Sequence, residues 1–480
     1  MHIEHRRTLS IFVLVMLCIA VVVSLRNLPL TASYGLSSLT FYIAATLFFM
    51  IPYSLISAEL ASGWPKSGGI YVWVREALGD RWGFFTIWMQ WFHNMTWVPV
   101  MLAFIGAGLA QLIDPELAQN KFYLLTVILI GFWFITFLNF FGIKTSAWIT
   151  TSCVIIGTIV PAAILIILGT YWMGAGMPLA IPFTWSSLIP DLSQSSNLVF
   201  LAGIFLALSG LEANANLARE VKNPQKNYPR AIFLGALCTF IMLAFGSLAI
   251  AVVIPRSEIS LVSGVLDAFR TFFNKYHLGW FVAPMAIMVM LGAFGELNAW
   301  TLAGVKGLFV TTEHGCLPPI LHKMNTKWVP VNMLIFQAIL VSIFAFVFLY
   351  LPNVNLSYWW LSAMAAQMYL LMYFFLFLAA VVLRHRKPEV HRPYKIPGGL
   401  VGMWIVAGVG FVASLFALAV SFIPPIELLA EGSLWGYETL MIVGFIVIFL
   451  LPLVIYALRK PTWKAIVLTE IREEIRRSLH

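Results

Sequence analysis

The chain has 480 residues, of which 61% are hydrophobic and only 10% charged, and its mean hydropathy is +0.91. A soluble domain carries about 25% charged residues, so this composition lacks the polar surface needed to face water and excludes a soluble class. The formal net charge of +9 would point to nucleic acid in a soluble protein; here its distribution along the chain decides its meaning.

Twelve apolar stretches reach the roughly 20 residues that a helix needs to cross a bilayer. They lie at 9–33, 37–60, 83–112, 122–141, 148–172, 198–217, 231–254, 278–305, 328–351, 357–383, 401–423 and 437–458, and predict an all-α polytopic membrane protein. The first follows His5-Arg6-Arg7 as a signal peptide would, but it has no small-x-small cleavage site and further spans come after it, so it is read as retained. Between the second and third spans, Gly68-Gly69 and Ile70 to Leu78 read either as a short amphipathic segment near the surface or as a re-entrant piece. The third and eighth spans are long enough to tilt or to continue beyond the membrane.

The positive charge falls on one side of this pattern. Of 29 Lys and Arg, Lys121, Arg256, Arg270 and Lys275 lie in loops of one side, Arg26 lies within the first span, and the rest lie on the side of the two termini. Cytoplasmic loops concentrate Lys and Arg, so both termini are expected in the cytoplasm. The charge then needs no nucleic-acid partner, and the tail carrying Arg472, Arg476 and Arg477 among Glu470, Glu473 and Glu474 reads as an interfacial or solvated helix.

Two spans carry breaks. A lipid-exposed helix must bond its own backbone, so an interruption at depth implies protein or an aqueous cavity around it. The first span contains Ser24-Leu25-Arg26-Asn27-Leu28-Pro29, where the proline has no amide hydrogen and disfavours helix in Leu28. The sixth contains Leu208-Ser209-Gly210-Leu211-Glu212-Ala213-Asn214, where glycine permits local unwinding next to a carboxyl group. Discontinuous helices in corresponding positions of two repeats mark the central site of a transporter. Helix ends exposed there offer amide donors to a carboxylate and carbonyls to an ammonium, a match to a zwitterion such as an amino acid.

Ionisable groups inside a membrane are costly and need individual reasons. Arg26 either bonds carbonyls at the break or attracts a substrate carboxylate. Glu212 either receives a substrate amine or a proton, or ties the broken sixth span to its neighbours. Glu296 serves substrate or proton coupling, or packing; Trp300 follows it by four positions and shares its helical face. Tyr369 and Tyr373 have the same spacing in the tenth span. His93 in the third span reads more readily as a hydrogen-bonded structural residue than as a proton carrier, Glu59 as part of a network with basic groups, and Trp359 and Trp360 as interface anchors.

No GxxxxGK[ST] loop points to ATP-driven transport, and no clustered His/Cys pattern points to a metal enzyme. Cys18, Cys153, Cys238 and Cys316 are scattered and read as small hydrophobes. There is no compact catalytic constellation, so neither an enzyme nor a cofactor is expected.

At the breaks the sequence resembles the amino acid–polyamine–organocation transporters, specifically the bacterial glutamate/gamma-aminobutyrate antiporter branch, over nearly all twelve spans. Gly210-Leu211-Glu212-Ala213-Asn214, followed by Glu220-Val221-Lys222-Asn223-Pro224-Gln225-Lys226-Asn227-Tyr228-Pro229-Arg230-Ala231, is similar to the family's sixth-helix motif and the segment after it. Glu59 through Gly69 with Trp73, Arg81-Trp82-Gly83-Phe84, Met324-Asn325 and Pro393-Tyr394-Lys395-Ile396-Pro397-Gly398-Gly399 are further matches.

The resemblance implies two inverted five-helix repeats (1–197 and 198–400), two peripheral helices (401–458) and a short cytoplasmic tail (459–480). It places substrate at Ser24, Leu25, Arg26, Asn27 and Leu28 in the first span and at Ser209, Gly210, Leu211 and Glu212 in the sixth, with Glu296, Trp300, Tyr369 and Tyr373 contributing. Trp300 matches a family tryptophan associated with occlusion. Two features depart from the branch. Arg26 stands where many members have small residues, and the chain ends at His480 after a short tail, so gating by a long C-terminal plug is not expected.

The expectation is alternating-access exchange of glutamate or a related amino acid for gamma-aminobutyrate or another amino acid in the bacterial inner membrane. Protons are a candidate co-substrate, and a cytoplasmic amino acid decarboxylase is the functional partner that the resemblance implies. Proton-coupled symport, exchange of another amino acid and a non-transporting amino acid receptor are the alternatives.

Overall fold

The structure, a computed structural model, describes residues 9–190, 195–259, 263–423 and 434–464. The tail helix expected around Arg472 and the basic pair Arg6-Arg7 lie outside the described residues. Among those described, twelve helices are long and apolar enough to cross a membrane: Ile11–Ala32, Ser37–Gly63, Asp80–Ile113, Lys121–Asn139, Ile143–Gly174, Phe200–Ala218, Pro224–Val253, Gly279–His314, Val331–Tyr350, Val354–Arg386, Gly399–Val420 and Thr439–Ala457. Span for span these follow the hydropathy pattern, because a bilayer leaves an isolated apolar segment of this length no option but to bond its own backbone.

Contacts between loops define two faces. On one, the Leu9 N–H donates to the Glu220 carbonyl (2.9 Å) and the Lys222 N–H to the Leu9 carbonyl (3.0 Å), so the chain before the first span is pinned to the chain after the sixth. Lys306 on the eighth span reaches the Glu220 carboxylate at 3.0 Å. Glu59 at the end of the second span holds Arg384 at the end of the tenth, and also Arg392 (3.4 Å) and the Ile396 N–H (2.8 Å) from the loop that follows. These ends carry most of the Lys and Arg, and we call this the basic face. On the opposite face, Lys121 donates to the Leu351 carbonyl at 2.6 Å and the Ala180 N–H to the Val252 carbonyl at 2.9 Å.

The segment Ile70–Leu78 is a helix on the basic face, entered through Gly68 and Gly69 with φ of 103° and 39°. Its Tyr71 and Trp73 are fully buried while Arg75 and Glu76 are partly exposed, so it is amphipathic but packed beneath the third span rather than lying free. The third and eighth spans run 34 and 36 residues, as their length in sequence predicts.

Two prolines reshape the helices beside the core. Pro52 and Pro161 remove an amide donor and their rings crowd the preceding turn; each is preceded by a widened five-residue turn, Thr46–Met50 and Ile155–Ile159. The second of these brings Gly157 against the eighth span. A Cβ built on Gly157 would stand 2.1 Å from the Gly292 nitrogen, so the two backbones touch and only glycine fits.

Candidate functional site

The first span is two half-helices. Ile11–Val22 ends where Val23 and Ser24 turn extended (φ −82°, ψ 96° and φ −106°, ψ 113°), and a tight turn Leu25–Asn27 leads into the helix Leu28–Ala32. Leu28 is helical (φ −62°, ψ −43°) although the following Pro29 disfavours helix there. The proline acts one turn earlier. It cannot donate to the carbonyl of Leu25, which instead accepts from the Leu28 N–H in a tighter turn.

The sixth span breaks at Leu208-Ser209-Gly210, between the helix Ser195–Ala207 and the tight segment Leu211–Glu220. Gly210 has φ 123°, and a Cβ there would meet the Trp300 ring at 3.0 Å and the Val21 carbonyl at 3.1 Å. Both the backbone conformation and the space require glycine.

The eighth span is fixed in rotation by its back face. Asn298 bonds the Ser146 hydroxyl (2.8 Å) and Thr150 hydroxyl (2.9 Å) of the fifth span and accepts from Asn139 of the fourth (2.9 Å). Glu296 and Trp300, two residues to either side of Asn298, therefore face inward. A cavity lies between the two breaks, and its walls include Ser24, Arg26, Asn27, Ser209, Glu296 and Trp300. A smaller compartment adjoins it behind the first break, shares Ser24, Arg26 and Glu296, and adds Leu25, Gly157, Thr158, Gly292 and Ala293.

Towards the basic face the cavity has a floor. The Trp300 indole donates to the Val21 carbonyl at 2.9 Å. Beneath it, Glu212 is 1% exposed and accepts from Tyr369, from Tyr373 (2.8 Å) and from Gln90 of the third span (3.3 Å). The Tyr373 hydroxyl also accepts the Gly210 N–H at 3.0 Å, and Tyr53 of the second span donates to the Leu208 carbonyl at 2.5 Å. The Gly210 N–H and the Leu208 carbonyl at the sixth-span break are thus each bonded to a tyrosine hydroxyl. Glu212 is a tie between the sixth, third and tenth spans, and Tyr369 and Tyr373 supply its donors.

Arg26 lies at the other end of the cavity. Its guanidinium bonds the Tyr358 hydroxyl at the start of the tenth span, with its carbon 5.3 Å from that ring's centroid. Its Nε is buried without a hydrogen-bond partner, as is the Ser24 hydroxyl. The Ser24 hydroxyl and the Arg26 charge are the polar neighbours of the Glu296 carboxyl, yet Arg26 and Glu296 form no direct ion pair among the described residues.

Of the residues singled out in the sequence, Ser24, Arg26, Asn27, Ser209, Glu296 and Trp300 meet on the main cavity and Leu25 on its side compartment. Leu28 packs against Gly246 and Leu211 against Gly235, both fully buried and away from the cavity. Gly210, Glu212, Tyr369 and Tyr373 form the layer beneath. His93 lines the cavity, and its Nδ1 lies 3.0 Å from the Ala365 carbonyl, which can only accept, so that nitrogen carries the proton. Trp97, Ser362 and Tyr358 were not singled out. Trp97 follows His93 by four residues and Ser362 follows Tyr358 by four, the same helical-face signal that linked Glu296 to Trp300. Trp360, expected at the interface, is 6% exposed and packs beside Gly444 of the twelfth span.

The family model described as amino acid permease matches residues 8–449. The chain is 42% identical over 451 residues to an uncharacterized transporter of Legionella pneumophila, covering 94% of this chain and 96% of that one. It is 34% identical over 462 residues to a glutamate/gamma-aminobutyrate antiporter of Lactococcus lactis, covering 95% and 91%. A probable agmatine/putrescine antiporter of Lactococcus lactis is 26% identical over 393 residues, covering 81% and 82%.

Proposed function

This chain belongs to the amino acid permease family, and on that premise we propose that it exchanges external glutamate, or a related amino acid, for internal gamma-aminobutyrate or another amino acid by alternating access. It is a multi-pass membrane transporter and not an enzyme. The finer reading takes the basic face as cytoplasmic, with both termini on the cytoplasmic side of the bacterial inner membrane, and spans one to five and six to ten as inverted repeats meeting at the two breaks.

One observation carries the proposal: both breaks open on a single cavity that has Arg26, Glu296 and Ser24 in its wall and Trp300 as its floor. A zwitterion needs polar partners when it leaves water, and this cavity offers a guanidinium and a carboxyl group. The 34% identity to a protein named for glutamate/gamma-aminobutyrate antiport supports the choice of substrates.

In this conformation the way to the basic face is shut by the Trp300–Val21 bond, the Glu212 ties and the packed first half-helix. Substrate enters from the opposite face. A carboxylate arriving at the Gly210 N–H replaces the Tyr373 hydroxyl there, while Tyr373 still donates to Glu212, so binding loosens the layer that closes the floor. Release to the cytoplasm requires the Trp300–Val21 bond to open. When glutamate is exchanged for the product of its decarboxylation, the pair of reactions consumes a cytoplasmic proton, which makes a cytoplasmic decarboxylase the functional partner.

The test is efflux from proteoliposomes loaded with labelled gamma-aminobutyrate. Release on adding external glutamate, with little release into buffer, is expected. Symport would show uptake that follows a proton gradient into empty vesicles, and a receptor would show binding without turnover.

A further inference from the structure

Glutamate and gamma-aminobutyrate differ by one carboxyl group. Both carry an ammonium and a carboxylate on the two ends of a three-carbon chain; in glutamate these are the amino group and the distal carboxylate. A site that takes the two in turn is best served by groups that read what they share. Resting on the exchange reading above, we propose that Arg26 and Ser24 receive the distal carboxylate common to both substrates while Glu296 receives their common ammonium, which makes the site selective for omega-amino carboxylates over diamines and over amino acids with apolar side chains.

Three observations point the same way. Arg26 uses its guanidinium on Tyr358 but leaves Nε buried and without a partner at the cavity wall. Ser24 is 5% exposed, and its hydroxyl lies in the same wall beside the Glu296 carboxyl, without a partner in full hydrogen-bond geometry. A buried donor left unmade is costly, and a carboxylate is the ligand that satisfies a guanidinium and a hydroxyl together with charge-assisted bonds.

The third observation is the wall. The side compartment beside Arg26 and Glu296 is lined by Gly157, Thr158, Gly292 and Ala293, whose small side chains keep bulk away from the charged pair. Arg26 and Glu296 face this shared space without closing on one another. A bound molecule with opposite charges at its ends neutralises both. A diamine satisfies Glu296 but sets its second cation against Arg26, and like charges out of water repel strongly. An apolar side chain leaves Arg26 and Ser24 as they are. The alpha-carboxylate, present in glutamate alone, falls to the backbone at the sixth-span break.

The test is competition against labelled counterflow in proteoliposomes, with gamma-aminobutyrate, glutamate, delta-aminovalerate, alpha-aminobutyrate and putrescine as competitors. The wild-type protein is expected to favour gamma-aminobutyrate and glutamate at least tenfold over alpha-aminobutyrate and putrescine. Arg26→Gln is expected to raise KM for gamma-aminobutyrate and glutamate together by about tenfold, a loss of the size that one charged hydrogen bond carries, and Arg26→Lys to restore part of it. Tyr358→Phe, which removes the tie but keeps the guanidinium, is expected to change the rate and not the order of preference. Putrescine competing as well as gamma-aminobutyrate, an unchanged preference in Arg26→Gln, or Tyr358→Phe reproducing the Arg26→Gln pattern each overturns the proposal.

Should the wild-type protein move neither glutamate nor gamma-aminobutyrate, the exchange reading fails, and thermal stabilisation of the purified protein by the same compounds decides the charge-pair reading alone. Stabilisation by gamma-aminobutyrate or delta-aminovalerate that Arg26→Gln abolishes upholds it. Stabilisation by alpha-aminobutyrate or putrescine alone, or none by any compound, overturns it.

Discussion

The Trp300 indole N–H donates to the Val21 carbonyl at 2.9 Å, joining the eighth span to the last turn of the first half-helix. Val21 lies just before the break, so the bond fastens the first half-helix at the point where it would hinge. One such bond is worth about 0.5–1.5 kcal/mol net. Trp300→Phe keeps most of the ring and removes the donor, so the closed floor should lose roughly a factor of two to twelve in its favour. The expected outcome is raised uptake into vesicles without internal substrate, measured against loaded vesicles of the same preparation.

Tyr373 donates to Glu212 and accepts from Gly210, so a single hydroxyl serves a buried carboxylate and a helix break. Tyr373→Phe leaves both with one partner fewer. Hydrogen bonds to charged groups contribute about 1.5–3 kcal/mol, and the variant is expected to melt several degrees lower in detergent, with counterflow reduced more than expression. Tyr53→Phe, which frees only the neutral Leu208 carbonyl, is expected to cost less in the same melting experiment.

The basic face offers a comparison between two ion pairs. Glu59 is 1% exposed and answers Arg384, Arg392 and the Ile396 N–H, whereas Glu76 and Lys387 are 22% and 34% exposed. Breaking a buried pair leaves a charge uncompensated at a cost of about 3–5 kcal/mol, while an exposed pair contributes at most about 1 kcal/mol. Glu59→Gln is therefore expected to lose most folded protein on size exclusion, and Glu76→Gln little.

The same Glu76 pair sets a pH dependence. Its hydrogen bond from Lys387 holds the Glu76 carboxyl below the usual carboxylate range. A depressed carboxyl contributes stability that is present above the ordinary value and is lost as pH falls through the lowered one. The difference in melting temperature between the wild type and Glu76→Gln should thus stay level from about pH 6 to pH 8 and shrink progressively as pH falls below the ordinary carboxylate value of about 4.3.

The twelve spans were legible because length and hydropathy alone dictate a membrane helix, and the sixth-span break because Gly210 and Glu212 are out of place at mid-membrane. The first break was legible in place but not in cause. Pro29 sits inside the second half-helix and acts through the Leu25 carbonyl, a turn away from where its own restriction would be sought. Ser24, Arg26, Glu296 and Trp300 stood out as polar or paired residues among apolar ones. The fate of Glu212 did not, since a buried carboxylate reads the same whether it meets substrate or tyrosines. Tyr53, Tyr358, Trp97 and Ser362 each add one side chain from an otherwise ordinary apolar helix. Only the rotation of that helix, set by contacts such as Asn298 with Ser146 on its neighbour, says which way such a side chain points.

The most direct measurement is uptake of labelled glutamate into proteoliposomes loaded with gamma-aminobutyrate, with glutamate, with an unrelated amino acid or with buffer. Obligatory exchange in the cavity between the two breaks predicts uptake in the first two and background in the others. Equal uptake into buffer-loaded vesicles, or none under any loading, would contradict it.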